Sequence, residues 1–273
     1  MNYYKVIFNF YPLHPWTEIL LAFLADIDFE SFEENDNGLV GYIAQHIFNQ
    51  QKVDNICQRL DIKISTQTLL IKSQNWNAKW ESDFNPILID QVCGIRADFH
   101  SPLNVQHEII ITPKMSFGTG HHATTEGMIR CMLSLDFNQK KVLDMGCGTA
   151  VLAILSEKLG SNNILAIDIE EWAFTNAKEN IEKNQCQHIN LKLGGAEQIE
   201  GNFDVILANI NRNILLQDIP IYFKHLNSNG LLLISGFYEQ DLDLILEKTK
   251  PYLLNYITHT TLNKWVTAQF KKS

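Results

Sequence analysis

Val142-Leu-Asp-Met-Gly-Cys-Gly-Thr-Ala150 decides the fold. An apolar run enters Asp144, turns on Gly146 and Gly148, and opens a run of helix formers. A second apolar run, Ile164-Leu-Ala-Ile-Asp168, ends on an acid one strand-helix-strand unit later. That order reads as a βαβ nucleoside site, with the acid placed for ribose hydroxyls.

The same stretch narrows the nucleoside. A dinucleotide fingerprint needs a third glycine for tight helix–strand packing, and Val151 stands there. Asp144 also sets a negative charge near where a pyrophosphate would lie, which is unfavourable. A ligand with an ammonium group and no phosphate suits that charge, and S-adenosylmethionine is such a ligand. A plain strand-to-helix turn of a doubly wound protein is the bland alternative.

Bulk properties set the class. The chain has 273 residues, enough for one large domain or a core domain with a smaller companion. No apolar run approaches the length of a membrane span, and the first residues lack the pattern of a signal peptide. A cytoplasmic protein is expected. Five cysteines, at 57, 93, 131, 147 and 186, include no C-x-x-C pair, so reduced thiols are expected and no zinc or other metal site. The net charge of −9 disfavours free nucleic acid and suits a basic partner, although solubility alone also accounts for it.

Periodicity divides the chain. Residues 3–10 alternate like a strand, 15–25 and 49–60 have helical spacing, 26–44 hold two β-like runs about Asn35-Asp-Asn-Gly38, and 64–72 form another strand. The order βαββαβ predicts a small α+β ferredoxin-like domain over 1–75. Its aromatics Tyr3, Phe8, Phe10, Trp16 and Phe23 read as core. Residues 76–92 predict a linker helix, with Trp76 and Trp80 on one face. Residues 93–273 then predict an α/β domain, with β-like pieces over 92–112. Its strands fall at 142–146, 163–168, 189–193, 204–209 and 230–235, with helices near 150–159, 170–184 and 211–226. This is a doubly wound, mostly parallel sheet. Two late runs, 253–261 and 264–270, predict an antiparallel edge hairpin.

Three further stretches hold candidate chemistry. Phe117-Gly-Thr-Gly-His-His-Ala-Thr-Thr125 contains two glycines for a close-packed loop over a ligand, and Thr125 is placed to cap the following helix. Adjacent His121 and His122 seldom converge on a metal, so an orienting or capping histidine is the better reading. Cys147 has no activating histidine nearby in sequence and reads as packing. Asn209, in Leu207-Ala-Asn-Ile-Asn-Arg-Asn213, follows the fourth strand at the carboxyl edge of the sheet. Its carbonyl can accept a bond from a substrate amine, and a turn-and-cap role stands equally beside that one.

Taken together, these residues resemble the ribosomal protein L11 methyltransferase family. The motifs that match are Trp76-x-x-x-Trp80 with Pro86, Phe117-Gly-Thr-Gly-x-His122-x-Thr-Thr125, Asp144-x-Gly-Cys-Gly148, Asp168, Ala208-Asn-Ile210 and Trp265. The resemblance implies a Rossmann-like methyltransferase that uses S-adenosylmethionine. It implies cofactor contacts at Thr125, Gly146, Asp168 and Asn209, within a site that also takes in Phe117, Gly118, Thr119, Gly120, Asp144 and Gly148. It further implies methylation of amino groups, on lysine side chains or the N-terminal α-amine, of the eleventh large-subunit ribosomal protein, recognised by the N-terminal domain. Asn209 then orients the amine.

Departures from the commoner family pattern are Ala150 for glycine, Ala123 for proline and Lys114 for glycine. Ala150 is expected to add a tolerated methyl in the first helical turn, and Lys114 to alter loop flexibility. The competing functions are a methyltransferase for another protein or a small molecule, an NAD-dependent oxidoreductase, and a non-catalytic binding protein with a residual nucleoside site.

Overall fold

A computed structural model describes residues 2–71, 84–114 and 117–273. The chain divides into two compact units, Met1–Asp83 and Phe84–Ser273.

The first unit runs β1 (Tyr3–Asn9), α1 (Trp16–Ala25), β2 (Ser31–Asn35), β3 (Gly38–Ala44), α2 (Gln50–Arg59) and β4 (Ser65–Ile71). The sheet order is β2-β3-β1-β4, antiparallel throughout. Alternation in β1 buries Val6 and Phe8 against Leu20 and Leu24 of α1 and Val53 and Ile56 of α2. Asn49 caps α2 by accepting the Lys52 N–H. Of the aromatics read as core, Phe8 and Phe10 are buried and Trp16 packs against them, but Phe23 is exposed on the outer face of α1.

The second unit opens with a small sheet of β5 (Ile87–Ile89), β6 (Cys93–Ala97) and β7 (His107–Ile111). Here the expected helix over 76–92 needs correction. Trp76 and Trp80 lie outside the described residues, and residues 84–92 hold no helix. Pro86 leads instead into a strand rich in β-branched residues that pairs with β6.

Next come α3 (Ala123–Leu133), β8 (Lys141–Met145), α4 (Val151–Lys158), β9 (Asn163–Asp168), α5 (Glu171–Lys183), β10 (Ile189–Leu193), β11 (Phe203–Asn209), α6 (Arg212–His225), β12 (Leu226–Tyr238), α7 (Leu242–Thr249), β13 (Leu254–Leu262) and β14 (Trp265–Lys272). The seven-stranded sheet has the order β10-β9-β8-β11-β12-β14-β13. Its first five strands are parallel, and β14 runs antiparallel to both neighbours. The central strands bury both faces. Val142, Ala166, Val205 and Leu207 join one apolar cluster, while Leu143, Leu165, Ile206 and Ala208 join the other. The winding reverses between β8 and β11, so their carboxyl ends border the crevice of an open α/β sheet. No helix among the described residues is long and apolar enough to cross a membrane.

Helix α5 is stitched to the small sheet by asparagines one turn apart. β7 is an edge strand, and its free backbone groups find side chains instead of a further strand. The Thr112 N–H donates to Asn180 Oδ1 at 2.7 Å, and Asn176 Nδ2 donates to the Thr112 carbonyl at 3.1 Å. Asn184 takes the Ile110 N–H at 2.9 Å and donates back to the Ile110 carbonyl at 2.6 Å. Asn180 also donates to the Thr149 carbonyl at 2.9 Å, tying the helix to the glycine turn. Lys114, expected to alter loop flexibility, pairs with Glu179 of α5 at 2.5 Å.

The turn after β8 uses three left-handed residues: Gly146 (φ 67°), Gly148 (φ 55°) and Ala150 (φ 63°). Ala150 is therefore not in the first helical turn. It is the N-cap of α4, with no side-chain bond. The cap comes from Asp144, which is 1% exposed and accepts the Ala153 N–H at 3.0 Å. Burial pushes the Asp144 carboxyl up to about 7, the Ala153 bond opposes this, and nearby Asp168 adds to it. Cys147 is buried in the turn, and burial with the two acids raises its thiol well above the usual range, which fits packing rather than attack.

Two outcomes follow from this turn. The Asp144 carboxyl is raised from an ordinary 3.8, so the folded state holds a proton the unfolded chain lacks between about pH 4 and 7. Its contribution to stability is present below pH 4 and lost as pH rises through 7, roughly 4 kcal/mol in all. Asp144→Asn keeps the acceptor for Ala153, so urea unfolding across that window should become markedly flatter in the variant. An unchanged slope refutes the buried-acid account. Gly148→Ala should lower stability by about 2–3 kcal/mol, because the new methyl meets the Phe117 carbonyl oxygen at 2.3 Å. Ala150→Gly, two residues on, should stay within about 1 kcal/mol, since relief at positive φ offsets the lost methyl. Thermal unfolding of the two variants compares them directly.

Candidate functional site

A cavity of about 910 Å³ opens at the carboxyl ends of β8, β9 and β11. Its floor is the turn Met145–Gly148 together with Asp168 and Asn209. Asp168 is 7% exposed, and its two oxygens are held by backbone: Oδ2 accepts the Gly148 N–H at 2.8 Å and Oδ1 the Glu170 N–H at 3.0 Å. Each oxygen keeps a second lone pair for a hydroxyl of a ligand.

Asn209 ends β11. Its Nδ2 donates to Thr125 Oγ1 at 3.4 Å, and its Oδ1 is buried with no partner among the described residues. An orphaned carbonyl costs about 1–3 kcal/mol and points to a donor supplied by a ligand. The next residue explains the rigidity of this position. Ile210 is wedged between two glycines: a methyl on Gly146 would lie 2.2 Å from Ile210 Cγ2, and one on Gly236 would lie 2.0 Å from its carbonyl oxygen. Gly146 thus serves packing of the Asn209 loop as well as approach of a ligand.

One end of the cavity is aromatic. Phe117, His122 and Trp265 line it, with ring centroids 5.2 Å apart for Phe117–His122 and 4.8 Å for His122–Trp265. Tyr238 backs Trp265 at 4.0 Å. His122, not Thr125, is the N-cap of α3: its Nδ1 accepts the Thr124 N–H at 3.3 Å. The proton of the neutral ring therefore sits on Nε2, making that nitrogen a donor. His121 turns away, against Phe84 at 4.6 Å and the Asn85 carbonyl at 3.1 Å, so the two histidines do not converge.

Several expected site residues do not line the cavity. Thr125 is fully buried inside α3 and acts on Asn209 from behind. Asp144 is spent on capping α4. Gly118, Thr119 and Gly120 shape the loop: the Gly118 carbonyl accepts the Thr149 hydroxyl at 2.7 Å, Thr119 bonds His121 at 3.2 Å, and Gly120 packs on Ile95. These residues place Phe117 and His122 without facing the cavity.

Other lining residues escaped the sequence reading. Ile169, Trp172, Ala196, Ile199, Ile214 and Asp218 also line the cavity. Ile169 carried a signal, since it directly follows the ribose acid. The rest come from α6 and the segment after β10, where spacing alone does not say which face meets the crevice. Among the described residues, the lining includes Asp168, Glu197 and Asp218 but no lysine or arginine. Such a wall suits a cationic ligand and offers nothing to a pyrophosphate.

A family model described as ribosomal protein L11 methyltransferase (PrmA) matches residues 26–273. A ribosomal protein L11 methyltransferase from Phocaeicola vulgatus is 38% identical over 278 residues, covering 99% of each chain. One from Chlorobaculum tepidum is 36% identical, covering 92% of this chain and 91% of its own. Among solved structures, the ribosomal protein L11 methylase of Lactobacillus delbrueckii subsp. bulgaricus superposes with a TM-score of 0.62 at 28% identity, over 70% of this chain and 100% of its own. With the family model spanning both units and relatives matching end to end, the chain belongs to the ribosomal protein L11 methyltransferase family.

Proposed function

We propose that this protein transfers methyl groups from S-adenosylmethionine to amino groups of ribosomal protein L11, on lysine side chains or the N-terminal α-amine. The observation that carries the reading is the buried, unpartnered Asn209 carbonyl beside the aromatic end of a cavity without lysine or arginine. Bound there, S-adenosylmethionine supplies a methyl group on a positively charged sulfur.

The chain's own residues do the rest. Asp168 accepts the ribose hydroxyls on its remaining lone pairs. Asn209 Oδ1 accepts one N–H of the incoming amine and so fixes the direction of its lone pair. Phe117, His122 and Trp265 exclude water from that end of the cavity. Thr125 and the glycines about Ile210 are positioning residues for Asn209.

The first unit is proposed as the recognition domain. Its βαββαβ order with strands 2-3-1-4 supports the ferredoxin-like reading, and none of its described residues line the cavity. An NAD-dependent oxidoreductase is disfavoured by the cation-free lining and by Val151.

Calorimetric titration with S-adenosylmethionine and with NAD should show binding of the first alone; preferential NAD binding would sink the cofactor assignment. Asp168→Ala should weaken cofactor binding by about 10- to 100-fold, while Asn209→Ala should cut turnover far more than cofactor affinity. Negligible effects from both would leave them as structural residues. Deleting residues 1–75 should preserve cofactor affinity and abolish methylation of the ribosomal protein, scored by mass spectrometry. Persistent methylation would remove the recognition role.

A further inference from the structure

His121 does not line the cavity, and it stands at the position between Gly120 and His122 that the shared motif leaves open, so the residue there is this chain's own. Its ring bridges two segments far apart in sequence. Nε2 lies 3.1 Å from the Asn85 carbonyl oxygen, and Nδ1 lies 3.2 Å from Thr119 Oγ1. A carbonyl only accepts, so Nε2 carries a proton, and Nδ1 of the neutral ring accepts the Thr119 hydroxyl. The buried Phe84 ring meets the imidazole edge-on, with centroids 4.6 Å apart.

Phe84 and Asn85 open the second unit, just before the β5–β6 ladder that begins at Ile87. The Phe117–His122 loop leans on the same entry segment through Gly120. A methyl there would lie 2.6 Å from Ile95 Cδ1 and 3.0 Å from Ile87 Cδ1. On its other side the loop is bonded to the glycine turn, where the Thr149 N–H donates to the Phe117 carbonyl at 2.9 Å. Phe117 and His122 therefore reach the cavity wall from a loop held on two sides. Both bonds of the His121 ring are exposed to water, so they contribute little to stability. Placement is another matter, because rates respond steeply to small displacements of the groups around reacting atoms.

We propose that His121 is a positioning residue for methyl transfer. Its Nε2–H bond to the Asn85 carbonyl ties the loop to the entry segment of the second unit and so holds Phe117 and His122 at the cavity wall. The consequence for turnover rests on the reaction assigned above; the hold on the loop does not.

Two amides separate the two bonds of the ring. A glutamine reaches as far as Nε2 and can donate to the Asn85 carbonyl, whereas an asparagine reaches only as far as Nδ1 and keeps Thr119 alone. In the full chain, His121→Ala and His121→Asn should lower kcat for the ribosomal protein by about 5- to 20-fold, with its KM within about twofold. His121→Gln should return to within about threefold of wild type, and all three should melt within about 3 °C of it. Hydrogen exchange supplies a readout that needs no turnover. The Thr149 N–H, bonded to the Phe117 carbonyl, should exchange at least about fivefold faster in the alanine and asparagine variants and at the wild-type rate in the glutamine variant. Unchanged kcat or unchanged exchange in His121→Ala overturns the proposal, as does a glutamine variant no better than the asparagine one. If the wild-type protein methylates no ribosomal protein, the reaction assignment fails and exchange judges His121 by itself. Faster exchange in the alanine and asparagine variants alone then sustains the hold on the loop, and unchanged exchange overturns it.

Discussion

Thr149 locks two loops face to face. Its N–H donates to the Phe117 carbonyl at 2.9 Å and its hydroxyl donates to the Gly118 carbonyl at 2.7 Å. Both bonds are buried, where a hydrogen bond is electrostatically stronger and an unpaired group is costly. The approach tolerates no side chain on either side. A methyl on Gly148 would strike the Phe117 carbonyl, and one on Gly118 would lie 2.8 Å from Thr149 Oγ1. The glycine turn of β8 and the Phe117–His122 loop are therefore a single built object. Asn180 fastens it from a third direction through the Thr149 carbonyl.

The rest of the cavity hangs on that junction. Once the loop is fixed, His122 caps α3, and α3 carries Thr125 to Asn209 at the end of β11. Once the turn is fixed, Gly146 and Gly236 clamp Ile210 and so orient the same asparagine from its other side. The Asn209 end of the cavity is thus held in part by residues that do not line it, Thr125, Gly118 and Thr149 among them. That division explains why the family's most distinctive motif contributes only Phe117, His122 and Thr124 to the wall of the cavity, while its glycines serve the scaffold.

Strand order and helix limits were legible because the burial pattern leaves little choice. A run such as Val205-Ile-Leu-Ala208 between turn residues has both faces buried, and Asp168 and Asn209 fall at carboxyl ends by simple counting. Three things were not legible. Asp144 looked like a charge aimed at a ligand, because spacing cannot show that its carboxylate bends back to cap α4. Ala150 looked like an ordinary helical residue, because a positive φ leaves no trace in an alanine. Asp218 lines the cavity yet drew no reading, because spacing alone does not say which face of α6 meets the crevice. The two acids concern the direction of a side chain and Ala150 a backbone conformation, and periodicity encodes neither beyond inward or outward.

That direction bears on the chemistry. The proposed reaction consumes a neutral amine, and the cavity offers no general base at Asn209. Asp168 is held by two backbone N–H groups, and His122 accepts the Thr124 N–H through Nδ1. Neutralising a lysine at pH 7 costs about 4–5 kcal/mol, against about 1 kcal/mol for an α-amine. Burial of an ammonium in apolar surroundings shifts its equilibrium by a comparable amount, up to about 3–5 pH units when complete. The aromatic walls can therefore do the work of a base by making the charged amine unwelcome. Asn209, a neutral acceptor, holds what remains without re-protonating it. A carboxylate at that position would stabilise the ammonium and raise the cost again, so an amide is the side chain that the chemistry requires.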